Sequence, residues 1–481
     1  MLASFSTTFS VSVLSALAGG LFLLGFVPLP FEPLHAVAVI AAQGLMFYLW
    51  SHHGPMMGLY AGLVFGLVAY GSGMAWSYTM VSHLAAEPGV SDLAFSVLIS
   101  CVILVFILST GLLGLGMGYL RRKLSALGLL AVFPLLWALA EWSRLVFPGF
   151  PLMQAGDASL DTPLAGYVPV LGSSALTVIM AFLGAVVARM FFAGRETPIS
   201  LVVTALMLVP GLGAYLDKVT WTTPVDRALP VTLIHGDISP QHKHQKFRVI
   251  HAVKRYTELS EASPASRLVV WPESAFAYDF EGLYPKVQER LALLHQQGTS
   301  VFAGAYRESE FGRQNVLLDL ADLDSHYAKR HLVPYAEFEP SWAVGFDQAA
   351  AGLSMVMLAA GPEVQGLLQV GDYPFASMIC FENMFSAEQT RQWREAAFSV
   401  VISDLSWFDQ SVGIFQLAQL ARLRALESGK PLLQSANQGT TMIVDHKGNI
   451  QAQVTGDRQR LDGVIVPRSG TTPYVDLFDW E

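Results

Sequence analysis

Along the first 220 residues apolar positions run on in long blocks with few interruptions, whereas beyond that point short apolar runs alternate with polar stretches. A block of about 18 or more apolar residues can cross roughly 30 Å of hydrocarbon as a helix. Seven blocks qualify, at approximately 8–27, 34–50, 56–80, 93–120, 124–146, 166–192 and 198–216. Each is predicted to be a membrane span. The first lacks a basic leading segment and an obvious small-residue cleavage site, and it runs into further spans, so it reads as a retained helix and not as a secretory signal.

From Pro230 onward the pattern predicts strands at Val231–Ile234, Leu268–Trp271, Ser300–Ala303, Asn315–Leu320, Phe375–Cys380, Val400–Ser403, Leu432–Ala436, Thr441–Asp445 and Gly463–Val466. Several are continuous apolar runs ending in polar residues, as buried central strands do. Helices are predicted at Lys246–Glu261, Tyr284–Gln297 and about Val412–Ser428. In the last, Ile414, Leu417, Ala418, Ala421 and Ala425 repeat at helical spacing, Ser411 stands at the start, and Gly429 before Pro431 ends it. The fold class is therefore a multi-pass helical membrane domain followed by an α/β domain, with boundaries at 1–220, 221–470 and a tail at 471–481.

Composition agrees with two solvents. Only 14% of residues are charged, against roughly 25% in an ordinary soluble domain. Of 67 charges, 15 precede Thr220 and 52 follow, and the net charge of −9 divides as −1 and −8. An acidic chain without clustered Lys and Arg argues against nucleic acid as a partner. Cys101 and Cys380 are the only cysteines, one in each part, so there is no disulfide framework.

Basic residues in short loops set the orientation. Arg121, Arg122 and Lys123 lie between spans four and five, and Arg189 and Arg195 between six and seven, so these loops are expected in the cytoplasm. Loops 81–92 and 147–165 contain no Lys or Arg, and seven spans then deliver everything after Lys218 to the outer face. Glu141 and Arg144 at the end of span five read either as a polar element beside a lipid-headgroup entrance or as a local ion pair snorkelling at the interface.

Catalytic side chains are best held where a buried strand ends. Three places fit: Glu273 after Leu268–Pro272, Lys329 with Glu337 in an aromatic and aliphatic setting, and Cys380 at the last position of a strand. Singly, Cys380 reads as a small buried hydrophobe, Glu273 as a helix cap and Lys329 as a solvated charge. Together they supply what acyl transfer needs: a thiol nucleophile, a carboxylate to take its proton, and an ammonium for thiolate and oxyanion. No His is well placed by sequence to serve instead, and His242 with His244 reads as a solvated loop pair and not a metal site.

The segments Trp271-Pro272-Glu273, Lys329-x-His331-Leu332-Val333-Pro334-Tyr335-x-Glu337 and Ile379-Cys380-x-Glu382 resemble the signature segments of the nitrilase superfamily, which implies an α-β-β-α sandwich with Glu, Lys and Cys as catalytic residues. The preceding spans, with Ala140–Pro151, Pro163–Pro169, His235–Gln241, Ser403–Phe408 and Gln416–Leu433, are similar to the apolipoprotein N-acyltransferase family of that superfamily. The resemblance implies Glu273 as general base, Lys329 as oxyanion stabiliser and Cys380 as nucleophile. It further implies Glu337 as a second acid that holds the lysine or assists an attacking amine, and Glu382 as the acid two places after the nucleophile. Trp407 and Phe408 match aromatics at the cleft, with core packing as the alternative, and Trp221 matches a tryptophan near the domain junction.

The implied reaction takes an acyl chain from a phospholipid donor through a Cys thioester to a diacylglyceryl lipoprotein acceptor, in the bacterial inner membrane, with the catalytic domain on the periplasmic face and no cofactor. Rivals are a membrane-tethered amidase or nitrile hydrolase with the same triad, and an inactive scaffold. The sequence departs from the family at Phe381 (usually Tyr), Ala336 (usually Gly) and Leu152 (usually Trp), and the family's further span after Thr472-Pro473-Tyr474 is not in this sequence, so anchoring is expected to rest on the seven spans.

Overall fold

The computed structural model describes residues 2–84, 92–192, 199–225, 227–236, 238–239, 245–263, 265–277, 280–334, 336–338, 357–456 and 459–478. Arg195, His242 and His244 lie outside the described residues. The chain forms two compact units, one of residues 1–78 and 96–220, the other of 79–95 and 221–481.

In the first unit, helices at Leu2–Leu24, Leu34–His52, Asp92–Leu120, Ala126–Val146 and Ser173–Phe192 are long and apolar enough to cross a membrane. The expected count of seven full spans is corrected at the third block, 56–80, which is a helix Pro55–Gly66 that loosens into a π-turn at Leu67–Gly71 and bends by 53° before the segment that begins at Ala75. The seventh block is the helix Ile199–Leu216, 18 residues long. The sixth block starts late: 166–172 is a 3₁₀ turn and a short helix, ended by Gly172 at φ +78°, before the long helix begins at Ser173.

Helix Pro55–Gly66 approaches Asp92–Leu120 closely because both lack side chains at the contact. A Cβ on Gly58 would stand 2.2 Å from Gly114 O, and one on Gly62 would stand 2.2 Å from Thr110 O. In a lipid setting, where water does not drive helices together, such small-residue contacts supply packing.

Glu141 and Arg144 do not snorkel; both are almost fully buried. The Glu141 carboxylate accepts from Trp137 Nε1 at 2.9 Å, Ala155 N at 3.0 Å and Thr177 Oγ1 at 2.6 Å. Arg144 stands 3.6 Å from it, with its guanidinium 4.8 Å from the ring centres of both Tyr70 and Phe106. Burial of a charge in an apolar unit requires such partners. The pair ties the fifth block to the 3₁₀ turn at Ala155–Ser159 and to the helix carrying Thr177.

The second unit is an α-β-β-α sandwich. Its strands are β1 (Thr223–Pro224), β2 (Leu229–Ile234), β3 (Leu268–Val270), β4 (Ser300–Ser309), β5 (Gly312–Asp319), β6 (His326–Ala328) and β7 (Leu368–Val370). There follow β8 (Tyr373–Ile379), β9 (Phe398–Asp404), β10 (Leu432–Asn437), β11 (Thr441–Val444), β12 (Ile450–Val454), β13 (Arg460–Ile465) and β14 (Arg468–Ser469). One sheet has the order β13-β2-β3-β4-β5-β6, the other β12-β11-β10-β9-β8-β7, and β1 pairs with β14. In each large sheet three central strands are parallel, β2-β3-β4 and β8-β9-β10, with antiparallel neighbours outside.

Alternation along the strands builds the layers. Val231, Leu233, Val270, Phe302 and Leu317 face Phe375, Ile379, Val400, Ile402 and Leu433 between the sheets. The opposite faces of the first sheet pack under helices Lys246–Glu261 and Pro285–Gln296, and those of the second under Val412–Ser428. The two sheets also touch through backbone: Gly236 N donates to Ala436 O, and Gln438 N to Gly236 O. Tyr474 and Val475 are buried in a small cluster with Trp393 and Ala376.

The β3–Glu273 corner leans on Gly304, where a Cβ would stand 2.5 Å from Glu273 Cα and 2.6 Å from Pro272 O. Both neighbours are backbone and cannot swing aside. Gly304→Ala is expected to cost about 1–3 kcal/mol or more, read as a lower melting temperature in detergent than the parent; an unchanged melt would show that this corner is not close-packed.

Candidate active site

Three strand ends converge. β3 leads through Trp271 and Pro272 to Glu273, β6 leads to Lys329, and β8 leads to Cys380. The backbone is strained at two of these corners: Ser274 has φ +59° and Cys380 φ +52°, the left-handed region that ordinary residues seldom enter. Strain beside the acid is held by fixed surroundings, because Phe276 N donates to Gly304 O and Trp271 N to Phe302 O.

Lys329 is 1% exposed. Its Nζ donates to Glu337 Oε1 at 2.8 Å and lies 4.0 Å from Glu273 Oε1. Burial works against the ammonium, but the charges of Glu337, Glu273 and Cys380 outweigh it, and the Lys329 pKa is raised. Cys380 behaves in the opposite sense to an activated thiol at rest. Burial pushes it well above its ordinary value near 9, the charge of Glu273 pushes it the same way, Lys329 pulls it down, and the thiol hydrogen-bonds Glu273. The resting site therefore holds a protonated thiol against a carboxylate acceptor.

The supporting residues are equally fixed. Glu337 Oε2 accepts from Val333 N at 2.7 Å, which folds the loop after Lys329 back on itself. Glu382 makes the most connections: Oε1 accepts from the Tyr327 hydroxyl at 2.9 Å, Arg330 N at 2.8 Å and His331 N at 3.2 Å, while Oε2 accepts from Ile379 N at 2.8 Å. Burial pushes its carboxyl up and the three backbone donors pull it part of the way back. Glu382 thus fastens the Cys380 turn to the segment carrying Lys329.

Two contributors were missed by the sequence reading. Asn315 on β5 donates from Nδ2 to Glu273 Oε1 at 2.8 Å and accepts at its carbonyl from Lys329 N at 2.8 Å, so one residue orients both partners. Tyr306 on β4 stands directly opposite Asn315 in register and hydrogen-bonds Ser274; burial first, and then Glu273, push its hydroxyl up to about 12. Both sit inside strands whose apolar pattern concealed them. The period-2 rule identifies the face of Asn315 once the pairing of β4 with β5 is known.

Trp407 and Phe408 lie half-buried on a 3₁₀ turn, Ser406–Phe408, beyond the end of β9. Residues 79–84 hold this turn: Thr79 Oγ1 donates to Trp407 O at 3.4 Å, and His83 Nε2 meets Asp409 Oδ1 at 2.8 Å. Trp221 stands just before β1 with an indole N–H that finds no partner among the described residues. Its neighbour Thr222 is fastened by Arg468 and Gly429.

With this geometry in place, likeness to known proteins is informative. Residues 18–186 match the family described as Apolipoprotein N-acyltransferase N-terminal domain, and residues 241–466 match Carbon-nitrogen hydrolase. The Apolipoprotein N-acyltransferase of Methylococcus capsulatus is 31% identical over 98% of this chain and 93% of its own length.

The chain belongs to the apolipoprotein N-acyltransferase family.

The Coxiella burnetii protein of that name is 29% identical over 96% of both chains. The Nitrosomonas europaea protein of that name is 30% identical over 94% of this chain and 90% of its own. Among solved structures, a CN-hydrolase superfamily protein of Xanthomonas campestris aligns with 50% of this chain and 91% of its own at a TM-score of 0.36 and 18% identity.

The electrostatics of the family's site in this chain can be tested directly. Because burial and Glu273 hold the Cys380 thiol up, alkylation by iodoacetamide in a Cys101→Ala background is expected to climb with pH and to be still rising at the thiol's ordinary value near 9. Lys329→Met removes the one nearby charge that favours thiolate, so alkylation at a given pH should fall, by roughly tenfold per unit of pKa change. A plateau below pH 8 in the parent protein would contradict this arrangement.

Proposed function

We propose that the protein transfers a fatty acyl chain from a phospholipid, through a thioester on Cys380, to the α-amine of the N-terminal S-diacylglyceryl cysteine of a lipoprotein. The observation that carries this reading is the buried cluster in which Lys329 stands between Glu273 and Glu337 and acts electrostatically, with Glu273, on the Cys380 thiol.

In the first half-reaction Glu273 takes the thiol proton as Sγ attacks the ester carbonyl carbon. The oxyanion that forms is met by the Lys329 ammonium. Collapse expels the lysophospholipid oxygen, which recovers the proton from Glu273, and leaves the acyl chain on sulfur. In the second, the lipoprotein amine attacks the thioester carbonyl. Its proton passes to a carboxylate, Glu273 or Glu337, and the Cys380 sulfur leaves and is reprotonated. Glu337 serves this step by holding Lys329 and by lying on the loop beside it. Trp407, Phe408 and Trp221 are assigned to contact with the lipid substrates.

The membrane unit fits substrates that are themselves lipids, since each buried CH₂ contributes roughly 0.8 kcal/mol to their retention in the bilayer. The reading places the first 220 residues in the bacterial inner membrane and the catalytic unit on its periplasmic side, in keeping with the basic loop at 121–123.

Mass spectrometry of the purified protein after incubation with phospholipid should find a fatty-acyl adduct on Cys380, absent in Cys380→Ser and present in Cys101→Ala. Glu273→Gln should slow formation of that adduct by about 10²–10⁴-fold, the usual worth of a general base. Glu337→Gln should leave a detectable adduct but slow its transfer to a diacylglyceryl-cysteine peptide. If Glu273→Gln acylates at the parent rate and Glu337→Gln does not, the roles are reversed.

Orientation is tested separately by Asp324→Cys in a Cys101→Ala, Cys380→Ser background. The Asp324 side chain is 94% exposed, and its surface pair with Arg307 is worth little. A membrane-impermeant maleimide should label this position from the periplasm without disruption of the inner membrane. Labelling only after that membrane is broken would reverse the topology.

A further inference from the structure

The ladder between β4 and β5 orders its residues outward from the core. Opposite residues of an antiparallel pair share a face, so Phe302, Gly304, Tyr306 and Glu308 on β4 lie on the same face as Leu317, Asn315 and Arg313 on β5. Phe302 and Leu317 belong to the core between the sheets. One step outward, Gly304 admits the Glu273 backbone and Asn315 holds the Glu273 carboxylate. The next position on β5 is Arg313, two residues beyond Asn315 and therefore roughly 7 Å farther along the strand.

Arg313 is fixed and underused. Its carbonyl accepts from Ala359 N, and its guanidinium lies 4.6 Å from the centre of the Tyr306 ring, whose hydroxyl is bonded to Ser274 beside Glu273. One Nη2 hydrogen bond reaches Ala277 O at 3.3 Å. Glu308 stands directly opposite in register, yet Arg313 forms no ion pair among the described residues. It is half-buried, so a charged fork of donors sits preorganised on an aromatic ring at the outer edge of the catalytic row, with Ala277 O as its hydrogen-bond acceptor among the described residues.

We infer that Arg313, backed by Tyr306, binds the phosphodiester of the acyl-donor phospholipid while its ester carbonyl is presented to Cys380. This deepens the acyltransferase reading and rests on it. The chemistry matches, because a guanidinium is the side chain best suited to two phosphate oxygens. Since the phosphate is remote from the bond that breaks, its binding serves to place the ester and to select phospholipid over uncharged acylglycerol.

The test uses the full chain in detergent micelles and measures single-turnover acylation of Cys380 by phosphatidylglycerol and by diacylglycerol with the same acyl chains. The readout is the ratio of the two second-order rate constants, which is independent of the fraction of folded protein. Arg313→Gln is expected to lower the preference for phosphatidylglycerol by roughly tenfold to a hundredfold, the worth of a hydrogen bond to a charged group. Arg313→Lys, which keeps the charge and loses the fork, should recover part of it, and Tyr306→Phe should preserve it because the ring remains. An unchanged ratio in Arg313→Gln overturns the inference, whether or not both rates fall together. A parent protein acylated by neither lipid overturns the thioester reading itself, and this inference with it.

Discussion

A lysine ammonium cannot be taken out of water unless opposite charge comes with it, and Lys329 is taken out almost completely. Everything around the site follows from that constraint. Glu337 supplies a direct partner and Glu273 a second at the limit of ion-pair distance. Burial first, and then the charge of Glu273, hold the neighbouring Cys380 thiol up, while the Lys329 ammonium pulls it the other way. On the acyl-transfer proposal, the same ammonium that balances two carboxylates in the ground state would meet the negative charge that develops on sulfur or oxygen.

Glu273 and Cys380 were legible as candidates because each ends an apolar run, where a polar residue breaks a line of core positions; Lys329 stood out by its aromatic and aliphatic setting, since the strand before it has only three residues. Asn315 was not legible, because at the head of the expected strand Asn315–Leu320 it looks like an ordinary strand residue until β4 is laid beside it. Glu382 was recognised only by its place after the nucleophile; its four donors come from β6, the segment after it and the end of β8, a convergence that depends on tertiary structure. In the membrane unit, apolar composition announced each block but not the break after Gly66. A block long enough to span also has enough residues to bend, and hydropathy does not distinguish the two. For Glu141 and Arg144 the sequence leaves open a polar element beside a headgroup entrance or a local ion pair at the interface, because their partners Tyr70, Phe106 and Thr177 are remote in sequence.

Residues 79–84 follow the third block directly in sequence but belong to the catalytic unit by their contacts. There Thr79 and His83 bind the backbone of Trp407 and the side chain of Asp409. Asp409 has φ +47°, so the turn carrying the two aromatics ends in a strained residue that its contact with His83 helps to hold. Hydropathy groups these residues with the apolar block before them, whereas their hydrogen bonds group them with the sandwich.

The departure at Phe381 can be weighed in the same terms. A tyrosine there would add a hydroxyl next to the nucleophile, and its loss raises the question of what sets the shape of the turn. Phe381 is buried, with its ring 5.1 Å from that of Phe385 and 5.6 Å from that of His331. His331 in turn stacks on Phe385 and meets Glu388 at 3.1 Å. The aromatic group is held by packing on all these sides, and the backbone on either flank is tied by Glu382 through Ile379 N, Arg330 N and His331 N. None of those ties needs a hydroxyl at position 381. The geometry of the Cys380 turn is thus determined by a carboxylate and a cluster of rings, and a phenylalanine satisfies both.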